Sequence, residues 1–119
     1  MVIKTITLCG STRFKELFDE WNMKLTLQGY AVFSCGYWSQ QKGDTGKNLP
    51  EIDAPTKLML DLIHKEKIRR SDAVFILNKD GYIGKSTQSE LDYAIKLGKE
   101  IRYLEDAQGR VSKSHDTPL

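Results

Sequence analysis

Apolar and polar residues follow one another in patterns that predict four β-strands. Residues 3–9 alternate between apolar and polar side chains and are rich in β-branched ones, which indicates a first strand. Residues 30–34 predict a second strand. Residues 73–77 form a continuous apolar run, as expected of a strand that is buried on both faces. Ile101, Tyr103 and their neighbours predict a fourth strand.

Three helices are predicted between these strands. The first follows Gly10 and ends before Gly29, the second covers residues 56–70, and the third begins near Ser86 or Thr87 and ends at Gly98. Spacings of three and four residues indicate which side chains face the core. They are Phe14, Leu17, Phe18, Trp21 and Leu25 in the first helix, Met59, Leu62, Ile63 and Ile68 in the second, and Leu91, Ala94 and Ile95 in the third.

Strands that alternate with helices predict a parallel sheet covered on both faces. We therefore expect a flavodoxin- or Rossmann-like three-layer α/β sandwich with a four-stranded sheet of order 2-1-3-4. Residues 1–105 would form one domain and residues 106–119 a polar tail. Ligands of such sheets bind beyond the carboxyl ends of the strands. Loops 10–13 and 78–86 and the long loop 36–55 would meet there.

Composition and charge exclude several classes of protein. The net charge is +2, and no basic stripe suggests a nucleic-acid polymer as a partner. No apolar run approaches the roughly 20 residues that span a bilayer, and the N-terminus does not resemble a secretion signal. Cys9 and Cys35 lack the paired spacing of a zinc site, which favours free thiols in a reducing cytoplasm. His64 and His115 stand alone, so neither a metal site nor a cofactor is predicted.

The loop after the first strand is a candidate anion site. Gly10 would let the backbone approach a ligand, Ser11 offers a hydroxyl, and Arg13 offers two donors to a phosphate. An equally good interpretation is a helix cap formed by Ser11 or Thr12, with Arg13 in solvent.

Two acidic residues, Glu90 beside the predicted ligand edge and Asp72 just before the third strand, also have a structural interpretation. Glu90 could act as a nucleophile or base, but its spacing from Thr87 matches a capping box, which the pattern alone favours. Asp72 is best explained by spacing alone as a cap at the end of the second helix. Tyr37 and Trp38 begin the long loop and could equally line a pocket or pack on the core.

Three segments resemble the nucleoside 2-deoxyribosyltransferase-like superfamily, which includes deoxynucleoside 5′-monophosphate N-glycosidases. They are residues 6–13, residues 68–74, and residues 81–94 with the Gly98-Lys99 pair; the third is the most specific. The resemblance implies that Glu90 is the nucleophile and that Asp72 lies near the sugar and base. It also implies that Ser11 and Arg13 hold a 5′-phosphate, which would extend to the start of the third helix near Ser86 and Thr87. Gly84 stands where the transferases carry an additional acidic residue.

The resemblance implies an enzyme that cleaves or transfers the N-glycosidic bond of a nucleoside or nucleotide. The base, the sugar, the phosphate and the choice between hydrolysis and transfer stay open. It also implies a homodimer or a larger homo-oligomer. Two alternatives are a nucleotide-binding module without chemistry and an interaction protein that docks a partner through Tyr37, Trp38 and Tyr82.

Overall fold

The computed structural model describes residues 1–38, 52–106 and 108–111. Within these ranges, four strands and three α-helices alternate. The elements are β1 (Thr5–Cys9), α1 (Lys15–Leu27), β2 (Ala31–Phe33), α2 (Ala54–Arg69), β3 (Ala73–Ile76), α3 (Lys85–Lys96) and β4 (Glu100–Tyr103). A single 3₁₀ turn, Lys79–Gly81, lies between β3 and α3.

The strands form one parallel sheet of order β2-β1-β3-β4, which confirms the predicted α/β architecture. β1 pairs with both β2 and β3, with Thr7 opposite Phe33 on one side and Val74 on the other. All carboxyl ends of the strands therefore lie at one edge of the sheet.

The helices cover both faces of this sheet, and alternate strand residues point to each. One core cluster joins Ile6, Leu8 and Phe75 to Phe18 and Trp21 of α1. The other joins Val74 and Ile76 to Ile68 of α2 and to Leu91 and Ala94 of α3. The arrangement is thus a three-layer sandwich, with α1 on one face and α2 and α3 on the other.

The predicted inward face of α2 was wrong. Met59, Leu62 and Ile63 are 50%, 59% and 45% exposed, whereas Ile68 is buried as predicted and His64 is buried beside it. On α3, Leu91 and Ala94 are buried but Ile95 is 57% exposed. The stripe that packs on the sheet from α2 therefore contains a histidine, and an apolar stripe faces outward.

The ends of the helices follow local chemistry. Gly29 and Gly98 have φ of 101° and 72°, values that favour glycine, and each follows a helix as predicted. Asp53 caps α2 by accepting a hydrogen bond from the Thr56 amide at 2.8 Å, so the helix begins earlier than predicted.

Parts of the long loop and of the polar tail fall outside the described residues, namely 39–51, 107 and 112–119. The described start of the tail folds into a turn in which the Asp106 side chain accepts hydrogen bonds from the amides of Gln108 and Arg110, both at 2.9 Å. Across the described ranges, no helix is both long and apolar enough to span a bilayer.

Candidate functional site

A cavity of about 720 Å³ opens at the carboxyl edge of the sheet, a volume that suits a small-molecule ligand. Residues from all three predicted loops and from α3 line it. Those named by sequence analysis are Gly10, Ser11, Tyr37, Gly84, Ser86, Thr87 and Glu90. The α2 helix adds Lys57, Asp61 and His64, which were not predicted as site residues.

Glu90 is a buried carboxyl group on the wall of this cavity. The α3 helix begins at Lys85 and its N-cap is Gly84, with no side-chain capping bond. Glu90 therefore lies in the second turn and does not form the capping box with Thr87 that the pattern favoured. It is only 9% exposed. Burial raises its pKa to about 7, and the charge of Asp61 adds to this rise, while a hydrogen bond from the Cys9 thiol opposes it.

His64 and Cys9 complete a buried polar cluster around Glu90. The His64 Nε2 atom lies 3.8 Å from Glu90 Oε1, 3.7 Å from Cys9 Sγ and 3.0 Å from the Leu8 carbonyl oxygen. Burial, followed by the charge of Lys67, lowers the pKa of His64 to about 4, so the ring is neutral at pH 7. Burial raises the pKa of the Cys9 thiol well above its usual value, and Glu90 raises it further.

These three side chains are also the described residues that could hold a metal ion. Their candidate ligand atoms all lie within 4.8 Å of one another. No metal site was predicted from the sequence, because metal ligands are recognised there by short spacings between them. These three residues are far apart in sequence and come from β1, α2 and α3. A signal was present in the sequence, since His64 precedes the inward-facing Ile68 by one helical turn.

Only some of the residues that were predicted to bind a phosphate line the cavity. Ser11 lines the cavity, but Arg13 is not among the lining residues. Its guanidinium donates to Ser11 Oγ at 3.1 Å and to the Tyr82 hydroxyl at 3.2 Å, and it lies 4.9 Å from the centre of the Tyr82 ring. The amine of Lys57 instead contacts Ser86 Oγ at 3.3 Å, in the first turn of α3.

The cap interpretation of the first loop was also wrong. The α1 helix begins at Lys15 and has no side-chain cap, since the Ser11 hydroxyl accepts from Arg13 rather than from the helix. Gly10 is packed closely, because a Cβ there would lie 3.0 Å from the Leu77 Cβ. At Gly84 a Cβ would lie 3.0 Å from the Tyr82 hydroxyl.

Asp72 lies at the opposite edge of the sheet. It precedes β3, so it stands at the amino end of the strand, and a strand of four residues at about 3.3 Å each separates it from the cavity edge. Its carboxylate accepts from the Thr5 amide at 2.8 Å and from the Thr5 hydroxyl at 3.1 Å. These bonds lower its pKa. Asp72 therefore links the connection between α2 and β3 to β1, and it does not contact Glu90 of the same chain.

The two aromatic residues of the long loop differ in placement. Tyr37 lines the cavity. Trp38 packs edge-on against Phe18, with ring centres 4.9 Å apart, and the Lys15 amine lies 5.7 Å from its ring. The alternative of packing onto the core therefore describes Trp38, and the pocket interpretation describes Tyr37.

Comparison with known proteins adds no identification. No protein-family model matches the chain, and no curated protein matches it. The residues of the cavity are therefore the basis for assigning a function.

Proposed function

We propose that this protein cleaves or transfers the N-glycosidic bond of a nucleoside or nucleotide, with Glu90 as the nucleophile. The observation that supports the proposal is a buried carboxyl group on the wall of a cavity of about 720 Å³ at the ligand-binding edge of a parallel sheet. A carboxyl group with its pKa raised by burial beside such a cavity is typical of a functional site.

In the proposed reaction, a Glu90 oxygen attacks C1′ of the sugar. The C1′–N bond breaks through an oxocarbenium-like transition state, and its electron pair leaves with the base. The product is a glycosyl ester of Glu90. Water then attacks C1′ and releases Glu90 and the free sugar, or a second base attacks and forms a new nucleoside.

The leaving base must gain a proton and be held in place as it departs. Asp72 was expected to assist the base, but it lies at the other edge of the sheet. Among the described residues that line the cavity, Asp61 is the second carboxyl group. The Asp61 carboxylate pairs with the Lys57 amine at 3.2 Å and has no proton to give, so we assign to it the orientation of the base, through a hydrogen bond that it accepts from a base N–H, and water in the cavity protonates the departing base.

A phosphate on the substrate would lie at the first turn of α3. Ser86 and Thr87 line the cavity there, beside the partial positive charge of the helix N-terminus. Lys57 supplies the cation that sequence analysis assigned to Arg13, because its amine already contacts Ser86. Lys57 also pairs with Asp61 at 3.2 Å, and phosphate would compete with that ion pair.

The test is release of free base from a panel of ribo- and deoxyribonucleosides and their 5′-monophosphates, with and without a second base, followed by chromatography. We expect release from at least one substrate and no release by Glu90→Gln. Ser89→Ala, an exposed neighbour on the same helix, is the matched control and should retain activity. Undiminished turnover by Glu90→Gln would contradict the assignment of the nucleophile.

One observation also favours the alternative of a nucleotide-binding module. A carboxyl group with a pKa of about 7 is partly protonated at neutral pH, and the protonated form is a poor nucleophile but a good hydrogen-bond donor. Under this alternative, calorimetry would detect nucleotide binding while no base is released at any pH from 6 to 9.

The outward face of α2 supports a homo-oligomer. Leu58, Met59, Leu62 and Ile63 are all exposed and lie within one broad stripe of the helix. Ile63 also lines the cavity, so a second copy that covered this stripe would border the site. Light scattering should detect a dimer or larger species that Leu62→Lys dissociates.

We also place the protein in the cytoplasm. Its two cysteines, Cys9 and Cys35, are both free thiols, which suits a reducing compartment.

A further inference from the structure

The cluster of Cys9, His64 and Glu90 is unusual because three different metal-binding side chains converge from three separate elements. Cys9 ends β1, His64 lies on α2 and Glu90 lies on α3. All three are buried, and their ligand atoms lie within 4.8 Å of one another. Thiolate, imidazole and carboxylate are the ligands that zinc takes in proteins.

The distances suit a tetrahedral ion. Zinc bonds are about 2.3 Å to sulfur and about 2.0–2.2 Å to nitrogen and oxygen, so two tetrahedral ligands lie about 3.4–3.6 Å apart. The His64 Nε2 atom is 3.7 Å from Cys9 Sγ and 3.8 Å from Glu90 Oε1. Movements of a few tenths of an ångström would bring these two pairs to coordination distance, and Cys9 Sγ and the Glu90 oxygen, which lie within 4.8 Å of each other, would close around the ion as it binds.

We propose that Cys9, His64 and Glu90 form a binding site for a divalent transition metal of the zinc class. His64 and Glu90 line the cavity, so the fourth position of the ion would face the cavity and accept water or a ligand atom. Three protein ligands with one open position are the arrangement of reactive zinc sites. An ion bound here would occupy Glu90, the nucleophile proposed above, so metal binding and glycosidic cleavage are alternative uses of this residue and are measured separately.

Charge balance favours a divalent ion at this buried position. The bound cluster would contain a thiolate, a carboxylate and a neutral imidazole, so the two negative charges neutralise the ion. Binding releases the Cys9 thiol proton and any proton on Glu90 to solvent. The neutral His64 ring must also move its proton from Nε2, which faces the Leu8 carbonyl oxygen, to Nδ1.

These requirements predict a pH dependence. Because at least one proton leaves for each ion bound, the affinity should rise as the pH rises, by up to tenfold per pH unit for each proton released. The charged groups that act on the cluster are Lys57, Asp61, Lys65 and Lys67, and all of them except Lys65 line the cavity. The ion pair of Lys57 with Asp61 offsets two of these charges.

Cobalt(II) is the probe, since it takes the same ligands as zinc and is coloured in a tetrahedral site. We expect titration of the purified protein with Co²⁺ to give visible bands and a thiolate-to-cobalt band in the near ultraviolet. Zn²⁺ should remove them, because zinc binds more tightly than cobalt. Cys9→Ser should abolish the thiolate band, and His64→Gln or Glu90→Gln should weaken binding by more than the about 10–100-fold that outer-shell changes cost.

The controls are the other free cysteine and the other histidine of the chain, Cys35 and His115. Cys35→Ser and His115→Ala should keep the full spectrum. Absence of the bands at millimolar cobalt would overturn the proposal, as would bands that survive Cys9→Ser or disappear with Cys35→Ser. Circular dichroism separates loss of the site from loss of the fold. The spectrum needs no turnover, so failure of the glycosidase proposal would leave this test unaffected.

Discussion

The burial of Glu90 predicts how stability depends on pH when the carboxyl group is replaced by an amide. In the folded protein its pKa is raised from 4.5 to about 7. At about 1.4 kcal/mol per pH unit, this corresponds to about 3 kcal/mol. Because the folded pKa is above the unfolded one, the contribution of Glu90 is fully present below pH 4.5 and is lost as the pH rises through 7. Gln at this position keeps the shape and never ionises.

His64 acts in the opposite direction. Its pKa falls from 6.5 to about 4 on folding, so its contribution to stability is present above pH 6.5 and is lost as the pH falls through 4. Between about pH 4.5 and 6.5 the two effects have opposite slopes and similar size. The wild-type protein should therefore show little pH dependence from this pair, and each single variant should reveal the slope of the other residue.

Urea denaturation of the wild type and of Glu90→Gln between pH 4.5 and 8 measures this effect. The free energy of unfolding of Glu90→Gln, relative to wild type, should rise by about 3 kcal/mol over that range. Glu16→Gln, at an exposed position of α1, is the control and should change stability by no more than about 0.5 kcal/mol. A difference for Glu90→Gln that stays constant with pH would refute the argument from burial.

Three further predictions concern activity and folding. For a substrate that reacts, kcat/KM should rise with pH through about 7, as Glu90 ionises, and a pH-rate profile would measure this. Lys57→Met should raise KM for a 5′-monophosphate at least tenfold more than for its nucleoside, whereas Lys96→Met, exposed on α3, should leave both unchanged. Gly98→Ala should lower the free energy of unfolding in urea by about 1–2 kcal/mol, because φ there is 72° and an L side chain is strained.

Sequence patterns were sufficient for the sheet and insufficient for one helix face. The apolar run of β3 indicates its burial on both faces directly, and the order of strands and helices along the chain predicted the sheet order correctly. The alternation of β1 did not show that Thr7 is buried as well. On α2, residues advance by about 100° each, so Met59 lies about 180° around the helix from Ile68 and the two cannot both face the core. His64 lies only about 40° from Ile68. Because the inward stripe contains the polar residue His64, the hydrophobic pattern predicted the wrong face of α2.

The candidate site could be predicted only as far as topology allows. Glu90 lines the cavity, as its place after β3 allowed, although the pattern alone favoured a helix cap and only the family resemblance favoured a functional residue. Asp72 could have been separated from it without coordinates, because a residue before a strand lies at the amino edge of a parallel sheet. The contacts among Cys9, His64 and Glu90 could not be predicted, since they join residues 26 to 81 positions apart on three separate elements and depend on helix packing.

The polar cluster around Glu90 borders the apolar core, since Cys9 packs in the same core cluster as Ile68, Val74, Ile76 and Leu91. The raised pKa of the buried Glu90 corresponds to a cost of about 3 kcal/mol for the ionised carboxyl group at pH 8. A polar group that lowers stability beside a cavity is explained by function rather than by folding.

The stability and the activity of Glu90→Gln, both measured at pH 8, therefore test the role of Glu90. A Glu90→Gln protein that is more stable and inactive would assign Glu90 to chemistry. One that is more stable and fully active would remove Glu90 from the reaction, and one that is less stable would show that its ionised form is stabilised by the fold.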